Sequence, residues 1–399
     1  MSVRFILLLI SVVFLSDFSV CRALSIDDTA IEILKNSPGY ASETFSLESA
    51  INNLKTESNL PDPELSGEYL ILPKDVDNRW AAQLEWGVEW PGVYGARKKE
   101  AEHKISAAEK ALFAQRMERL AEIKDLLLEY IQFEQKLNLI ERLSANTDSI
   151  YTLAKFAANN GEMTVLDLNK IRLESANIKV TRISLMDEKA GVVTKLSQLY
   201  GKDCSPLLMK METTFPEIVL PPIDAIHTVK EMAPSVQRAK AEAEAVRKAG
   251  KVTNMEALPS LSLGYKHAYE DGMHFNGAVF GISIPMFSSR GKQKAAKADI
   301  LEAESKVETA ESEVASEAEI TWKRLQLLQE HIAEVSPIVE NTDYHSALLK
   351  SYSAGLISLI DYISDINYFT SASLELVNLR LAAAKAQNQL QTLLSEIQF

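Results

Sequence analysis

The chain has 399 residues, with few glycines (15) and prolines (13), and a formal net charge of −13. An acidic chain without a basic stripe is a poor ligand for phosphate backbones, so nucleic acid is excluded as a partner. Stretches rich in Ala, Glu, Lys, Leu and Gln at 97–160 and 288–350 indicate long helices rather than ordinary globular domains. The two cysteines, Cys21 and Cys204, cannot form a disulfide framework.

The sequence contains no motif for catalysis or for cofactor binding. It has no nucleophile elbow, P-loop, HExxH sequence or dinucleotide fingerprint, and its six histidines are scattered without the spacing of metal ligands. His267 and His274 flank a turn predicted at Glu270-Asp271-Gly272, where a polar loop is favoured over a surface cation site. We therefore predict that the protein is not an enzyme and has neither a cofactor nor a metal site.

Residues 1–23 have the features of a secretory signal peptide. Arg4 supplies a positive charge, an apolar run extends from Phe5 to Leu15, and small residues precede a cleavage point before Leu24. In an alternative interpretation, Cys21 is the acylated first residue of a lipoprotein. No later stretch has eighteen consecutive apolar residues, which excludes helical membrane spans. If this chain crosses a membrane, it does so with strands.

The remainder of the chain consists of two similar repeats, 24–200 and 232–399, joined by a linker at 201–231. Each repeat has a helical lead-in, two short strands and a long helical hairpin. Matching residues are about 194–195 positions apart: Asn146-Thr147-Asp148 corresponds to Asn341-Thr342-Asp343, and Gly161 corresponds to Gly355. A constant offset of this kind indicates duplication of one supersecondary unit.

Four strands are predicted at about 65–72, 80–90, 261–269 and 275–286. Apolar and polar residues alternate along them, so each strand has one apolar and one polar face. A soluble sandwich is one interpretation, but the lengths also suit a tilted bilayer crossing. Aromatic residues concentrate in the strands and towards their ends, as in the interfacial girdles of membrane barrels. The predicted girdle consists of Trp80, Trp86, Trp90, Tyr69, Tyr265 and Tyr269.

Four strands cannot close a barrel, and lipid does not tolerate open sheet edges. Three chains would supply twelve strands, which is an allowed even number. The sequence therefore predicts a homotrimer with a twelve-stranded barrel in the membrane.

Each strand pair is followed by a predicted helical hairpin. The first hairpin has helices at about 95–157 and 162–200, and the second has helices at about 290–354 and 356–398. Apolar residues recur at spacings of three, four and seven, which is typical of coiled coils. Helices of this length need neighbours for stability, so three chains would pack twelve helical segments into a cylinder. The fold class is thus mainly α with a small β part, as a β-barrel continuing into an α-helical barrel.

The order of these features resembles the TolC-type outer-membrane efflux proteins. The resemblance covers essentially the whole mature chain and includes the start at Leu24-Ser25-Ile26, Leu60-Pro61 and Leu258-Pro259 before the first strand of each repeat, and Tyr352-Ser-Ala-Gly355 at a hairpin tip. The segments Trp90-Pro91 and Gly281-Ile-Ser-Ile-Pro285 further resemble the heavy-metal-efflux (CusC/CzcC-like) branch.

The resemblance implies a trimeric duct in the outer membrane of a Gram-negative bacterium, extending into the periplasm. Its partners would be a periplasmic adaptor, an inner-membrane pump and outer-membrane lipid. It implies that Asp361 and Asp167 line the periplasmic entrance, with Asp365 one turn beyond Asp361, and that the hairpin tips at Gly161 and Gly355 contact the adaptor. The arginine that latches many family members at the tip is replaced by Met163 and Ile357.

Two alternatives remain open from the sequence. The Asp residues at the tips would also serve simply to cap or solvate the start of a return helix. The whole chain would also suit an exported coiled-coil scaffold or adaptor with a soluble β-domain. The sequence does not identify the cargo of a duct, whether metal ions, drugs or polypeptides.

Overall fold

The computed structural model describes residues 24–73, 78–285, 287, 290–340 and 342–395. The predicted signal peptide, including Cys21, lies outside the described residues. Within them the chain is mainly helical with one small antiparallel sheet, which confirms the predicted fold class at this level. No helix in this part of the chain is long and apolar enough to cross a membrane.

Helices and strands follow the order of two repeats. The strands are β1 (Glu64–Leu70), β2 (Arg79–Val88), β3 (Ser260–Glu270) and β4 (Met273–Ser283). The helices are α1 (Ile26–Lys35), α2 (Pro38–Thr56), α3 (Pro91–Asn159), α4 (Val165–Tyr200), α5 (Ser205–Leu208), α6 (Ile223–Met232), α7 (Pro234–Met255), α8 (Lys292–Val339), α9 (Thr342–Ser353) and α10 (Leu359–Leu393).

The four strands form one sheet in the order β1-β2-β3-β4, with every neighbouring pair antiparallel. The pairing of β2 with β3 joins the two repeats, which the sequence pattern did not specify. Gly264 of β3 allows this pairing, because an added Cβ atom would lie 2.7 Å from the carbonyl oxygen of Leu84 in β2. β3 and β4 are joined by the two-residue turn Asp271-Gly272, in which both residues have positive φ.

Several of the observed boundaries differ from the sequence prediction, and one of them is the end of β2. The strand expected over 80–90 ends at Val88, because the chain turns into α3 there and the Val93 N–H donates to the Trp90 carbonyl at 2.8 Å. Pro91 is then the first residue of α3, a position where its missing N–H costs nothing.

The helix expected over 290–354 is divided into α8 and α9. Pro337 lies inside α8, which ends two residues later at Val339. Proline removes a helical hydrogen bond and clashes with the preceding turn. The corresponding stretch of α3 contains no proline and continues through Asn146-Thr147-Asp148 without a break.

The chain divides into two compact units, and each unit takes segments from both repeats. The first unit comprises the described residues up to Ser37, together with Ile123–Glu217 and Ile332–Ala384. Its interior includes Ile33, Leu127, Ile131, Ile171 and Leu196, all with no solvent exposure. Burial of such aliphatic side chains is the main source of stability here.

The second unit comprises Pro38–Glu122, Ile218–His331 and the described residues from Lys385. It contains the sheet, and its helices bury Leu120, Val236, Leu325 and Leu390. Where the sheet meets the helices, the Arg97 guanidinium donates to Glu89 and Glu256 at 2.9 and 2.7 Å. Burial opposes the charge on Arg97, but the hydrogen bonds to Glu256 and Glu89 outweigh it and raise its pKa.

Candidate functional site: a two-faced sheet and two matching turns

The strand register separates the sheet into an apolar face and a polar face. Leu65, Leu84, Tyr265 and Ala278 lie in one row across the four strands, and the row of Trp86, Leu263 and Phe280 lies on the same face. These side chains are exposed rather than packed in a core: Leu65 is 76% and Phe280 75% accessible. An apolar patch of this size on a single chain marks a surface that contacts lipid or another protein.

The opposite face of the sheet carries charged and small residues. Glu85, Gln83 and Lys266 lie on it, and the Gln83 amide donates to Glu85 at 2.7 Å. At the β3–β4 turn, Arg79 forms ion pairs with Glu270 and Asp271. Several polar groups on this face are therefore paired with one another, whereas Nε of Arg79 is buried without a hydrogen-bond partner.

A row of rings crosses the apolar face at the end of the sheet beside the Asp271-Gly272 turn. Tyr69 pairs with Trp80, Trp80 with Tyr269, and Tyr269 with His274, so one ring comes from each strand. Four of the six predicted girdle residues lie in β2 or β3 (Trp80, Trp86, Tyr265 and Tyr269), and Tyr69 lies in β1. The sixth, Trp90, lies past the end of β2 and remains 46% accessible.

The polar groups of three girdle residues have hydrogen-bond partners. The Trp86 indole N–H donates to the Pro61 carbonyl at 2.8 Å, and the Tyr69 hydroxyl accepts from the Asn78 amide at 3.1 Å. The Tyr265 hydroxyl donates to the side-chain oxygen of Asn276 at 2.7 Å. Tyrosine and tryptophan side chains of this kind combine an apolar body with a satisfied polar end.

The two helical hairpins have turns of the same construction. Gly161 and Gly355 have positive φ (75° and 70°), which glycine adopts without steric cost. After Gly161, the Glu162 N–H donates to the Ala157 carbonyl, and after Gly355 the Leu356 N–H donates to Ser351, both at 2.9 Å. This hydrogen-bond pattern, with the glycine N–H bonded three residues back, is a Schellman motif that ends α3 and α9.

The return helices also begin alike. Thr164 caps α4 and its hydroxyl accepts from the Asp167 N–H at 3.1 Å, while Ser358 accepts from the Asp361 N–H at 3.1 Å before α10. Each Asp carboxylate in turn accepts from the capping hydroxyl, at 2.7 and 2.6 Å. At the second turn the Ser358 N–H also donates to the Asp361 carboxylate at 3.3 Å, which completes a capping box with Asp at its third position.

The predicted entrance residues therefore have a structural role that can be observed directly. Asp167 and Asp361 both take part in helix capping, and Asp361 is exposed. Asp365 is half-buried in the next turn of α10. The hydrogen bond from Thr164, and then that from Lys170, lower the pKa of Asp167 below its ordinary value. A carboxylate that caps a helix can still attract a cation, because it keeps its negative charge and can accept further hydrogen bonds.

Exposed apolar side chains surround the first turn and continue along α4. Leu166, Leu173 and Val180 follow one another at intervals of seven residues, and each is 67% accessible. The buried side of α4, with Ile171, Ile178 and Leu185, is a different stripe. Leu356 beside the second turn is 77% accessible. Two apolar stripes on one helix indicate that one is covered within the chain and the other is available to a partner.

A cavity of about 640 Å³ lies in the first unit beside the break between α8 and α9. Arg142, Phe369 and Leu376 contribute to its wall, and Arg380 donates to Glu340 at 2.7 Å and to Ser336 at 3.0 Å. The Ser336 hydroxyl, together with Arg380, lowers the pKa of Glu340 despite partial burial. Arg380 thus stabilises the C-terminal end of α8 where the helix stops.

No group of three or more His, Cys, Asp or Glu side chains in the described part of the chain is arranged to hold a metal ion. A smaller cluster comprises His267, His274 and Asn276, of which the sequence analysis named the two histidines but favoured a polar loop there. The Asp271-Gly272 turn could have indicated this cluster from the sequence. A two-residue turn sets the register of β3 against β4 and so places these residues on one face of the sheet.

Comparison with solved structures shows what this fold is similar to. A membrane protein from Pseudomonas aeruginosa matches with a TM-score of 0.78 and 14% identity, over 92% of this chain and 90% of that chain. The outer-membrane channel OprN matches with a TM-score of 0.76 and 14% identity, over 92% and 89%. CusC, described as forming a transmembrane channel, matches with a TM-score of 0.75 and 15% identity, over 92% and 91%.

No protein-family model matches the sequence, and no curated protein matches it either. Several of these structural neighbours are described as outer-membrane channels, so the expected resemblance in fold to the TolC-type proteins is confirmed. OprN and CusC are both among them.

Proposed function

We propose that this protein is the outer-membrane duct of a tripartite efflux system. It would conduct substrate passively from an inner-membrane pump and a periplasmic adaptor to the exterior of a Gram-negative cell. The observation that carries the proposal is an open four-stranded sheet with an exposed apolar face, in a chain that also forms two long helical hairpins. The fold likeness to outer-membrane channels supports the same conclusion.

A single chain does not complete this architecture. β1 and β4 are both free edges of the sheet, and backbone groups at a free edge cannot be satisfied in lipid. Three copies would join β4 of one chain to β1 of the next and supply twelve strands. β2, β3 and β4 have 10, 11 and 11 residues, which suits a tilted crossing of about 9–11 residues.

The apolar face would then contact lipid and the polar face would line the lumen. Along β2, Trp80 and Val88 are eight residues apart, about 27 Å at 3.4 Å per residue. A strand tilt of about 40° reduces this to about 21 Å, close to the ~25 Å height of an apolar band. The row of Tyr69, Trp80 and Tyr269 would form the girdle at the outer interface, and Trp86 and Trp90 would lie towards the inner one.

The lipid contact can be tested with brominated acyl chains, which quench indole fluorescence only at close range. We expect strong quenching in liposomes that depends mainly on Trp80 and Trp86, and a Trp322→Phe variant should show the same quenching. Trp322 is the control because its indole N–H is bonded to the Pro221 carbonyl in the helical part of the second unit. Quenching that depends only on Trp322, or none at all, would favour the exported scaffold.

The hairpin turns would form the periplasmic end, where the adaptor binds. We propose that Gly161 and Gly355 shape these tips and that Val165, Leu166 and Leu356 supply apolar contacts to the adaptor. Threefold symmetry would gather three copies of Asp361, and of Asp365 and Asp167, around the entrance. A ring of carboxylates attracts cations and slows their release.

Conductance measurements in planar bilayers separate this ring from helix capping. Asp361→Asn removes the charge but keeps a side-chain acceptor for the cap, so we expect higher open-state conductance and weaker block by divalent cations. Ser358→Ala removes the capping hydroxyl and should leave the block nearly unchanged. Equal block in wild type and Asp361→Asn would rule out the entrance role of Asp361.

A further inference from the structure

The imidazole rings of His267 and His274 lie against each other on the apolar face of the sheet. Their centroids are 5.3 Å apart and their planes differ by 19°. His267 is opposite Asn276 in the strand register and His274 is opposite Tyr269, so the two rings are diagonal neighbours across the β3–β4 hairpin. Both histidines belong to one hairpin of one chain, so this arrangement does not require assembly with other copies.

The hydrogen bonds around His267 fix which of its nitrogens is available. Nδ1 of His267 lies 2.6 Å from the side-chain oxygen of Asn276, which also accepts from the Tyr265 hydroxyl. An amide oxygen accepts but does not donate, so Nδ1 carries the hydrogen. The lone pair of the neutral ring is therefore on Nε2. An oriented imidazole with a hydrogen-bonded Nδ1–H is the usual form of a metal-ligating histidine.

The neighbours of the pair are aromatic rings rather than fixed charges. Trp80 lies 5.2 Å from His267 and 6.4 Å from His274 between ring centroids, and Tyr269 lies 5.0 Å from His274. The nearest carboxylates, Glu270 and Asp271, are ion-paired with Arg79. His274 is exposed and lies beside the Asp271-Gly272 turn, in the row that the proposed barrel places at the outer interface rather than within the apolar band.

We propose that His267 and His274 together bind one divalent transition-metal ion, with Cu²⁺ preferred and Zn²⁺ and Ni²⁺ weaker. The ligands are Nε2 of His267 and one ring nitrogen of His274, and water completes the coordination. Two adjacent metal–nitrogen bonds of about 2.0–2.1 Å hold the nitrogens about 2.8–3.4 Å apart, from the square-planar angle that Cu²⁺ prefers to the tetrahedral angle of Zn²⁺. The stacked rings have nearly parallel planes, so binding requires that the exposed His274 side chain rotate until its lone pair points at the same ion as Nε2 of His267.

The preference for these metals follows from the donor set. Imidazole suits Cu, Zn and Ni, and affinity along this series is highest for Cu²⁺. Alkaline-earth cations prefer oxygen ligands, so Ca²⁺ and Mg²⁺ should not compete. The site would lie at the end of the sheet opposite to the strand ends that lead into α3 and α8, and it differs from the carboxylates at the hairpin turns.

Trp80 provides a direct readout, because bound Cu²⁺ quenches a nearby indole. We would titrate tag-free, full-length protein in detergent with Cu²⁺ at pH 7.5 and follow tryptophan emission. We expect saturable quenching at one ion per chain, competition by excess Zn²⁺, and no effect of Ca²⁺. His267→Gln and His274→Gln should each weaken binding at least tenfold. His331→Gln, which changes an exposed helical histidine, should bind like the wild type.

Two further variants identify the parts of the site. Trp80→Phe should remove most of the fluorescence change while calorimetry still detects binding. Asn276→Ala should weaken binding by a smaller factor, since it frees the orientation of His267 without removing a ligand.

Equal Cu²⁺ binding in the wild type and both histidine variants would overturn the proposal, as would the same loss in His331→Gln. Circular dichroism of each variant establishes that the fold is retained. The titration uses no membrane and no conductance, so its outcome is independent of the proposed duct function.

Discussion

The two repeats of this chain are most alike at the turns between helices and least alike in the long helices that precede these turns. Gly161–Asp167 and Gly355–Asp361 have the same left-handed glycine, the same capping hydroxyl and the same carboxylate. By contrast, α3 is one helix of 69 residues, whereas the second repeat has α8 and α9 with a break between them.

This difference shows which positions depend on a particular residue type. A helix end needs specific backbone angles and specific hydrogen bonds, which only a few residue types provide. A helix interior needs only an apolar stripe, and many sequences supply one. Pro337 lies two residues before the end of α8, whereas the corresponding part of α3 has no proline and is continuous.

The largest effect on stability is expected when the proline of the second repeat is introduced at the corresponding position of the first. Arg142 corresponds to Pro337 at the offset of 195, and Arg142 is exposed in the middle of α3. We expect Arg142→Pro to break α3 and cost at least about 3 kcal/mol, because proline in a helix interior removes a hydrogen bond and adds a clash. Hydrogen exchange should show loss of protection after residue 138, and Arg142→Ala should have little effect.

The reverse substitution completes this test. Pro337→Ala should increase amide protection between Val339 and the start of α9. If protection there does not change, the proline is not the cause of the break, and the interaction of Arg380 with Glu340 would have to account for it.

A second test concerns the strand pairing that joins the repeats. Gly264→Ala places a methyl group 2.7 Å from the Leu84 carbonyl oxygen, and we expect a loss of about 1–3 kcal/mol, typical of overpacking. Gly277→Ala is the matched control, since it is on the same face and no atom lies within 4 Å. Thermal unfolding in detergent compares the two, and equal midpoints would show that β2 and β3 separate easily.

The glycines of the two turns provide the third test. An alanine at Gly161 or Gly355 must adopt positive φ, which costs about 1–2 kcal/mol. Because the turns are alike, we expect the two losses in unfolding free energy to agree within the error of measurement. Gly191→Ala, in the interior of α4 with open space around it, should instead stabilise by about 1 kcal/mol. Unequal losses would indicate that the turns have different surroundings.

The capping hydroxyls should have a smaller effect. Thr164→Ala and Ser358→Ala each remove an N-cap hydrogen bond, and we expect a loss of about 1 kcal/mol for each. Hydrogen exchange in the first turns of α4 and α10 measures the effect locally. Thr164→Ser and Ser358→Thr should retain most of the stability, and a loss as large as for alanine would contradict the capping role.

The smallest predicted effect depends on pH. The pKa of Asp167 is below its ordinary value because Thr164 and Lys170 stabilise the carboxylate. The contribution of Asp167 to stability is therefore complete above the ordinary carboxyl pKa and is lost as the pH falls through the lowered pKa. In Thr164→Ala the pKa of Asp167 should rise towards its ordinary value, which NMR of ¹³C-labelled aspartate can measure. An unchanged pKa would show that Thr164 does not stabilise the carboxylate.

Local patterns in the sequence predicted much of this structure. They did not predict the features that depend on contacts between residues far apart in the chain. Alternating residues identified the four strands and their apolar face, and Gly161 and Gly355 identified the ends of the hairpins. The pairing of β2 with β3 joins segments about 180 residues apart, so no local pattern specifies it. The helix break was missed although Pro337 was visible, because proline does not always end a helix. The stacking of His267 on His274 required the register of the β3–β4 hairpin.

The unpaired edges of the sheet create a hazard for the newly synthesised chain. β1 and β4 run in opposite directions, so β4 of one copy can accept β1 of any other copy, either in a closed ring or in an open-ended fibre. Closing a row of three copies into a ring joins two edges of the same complex, whereas extending a fibre requires a further copy from solution. Dilution therefore favours the ring. We therefore expect refolding yields to fall as protein concentration rises, with insoluble β-rich aggregate as the competing product.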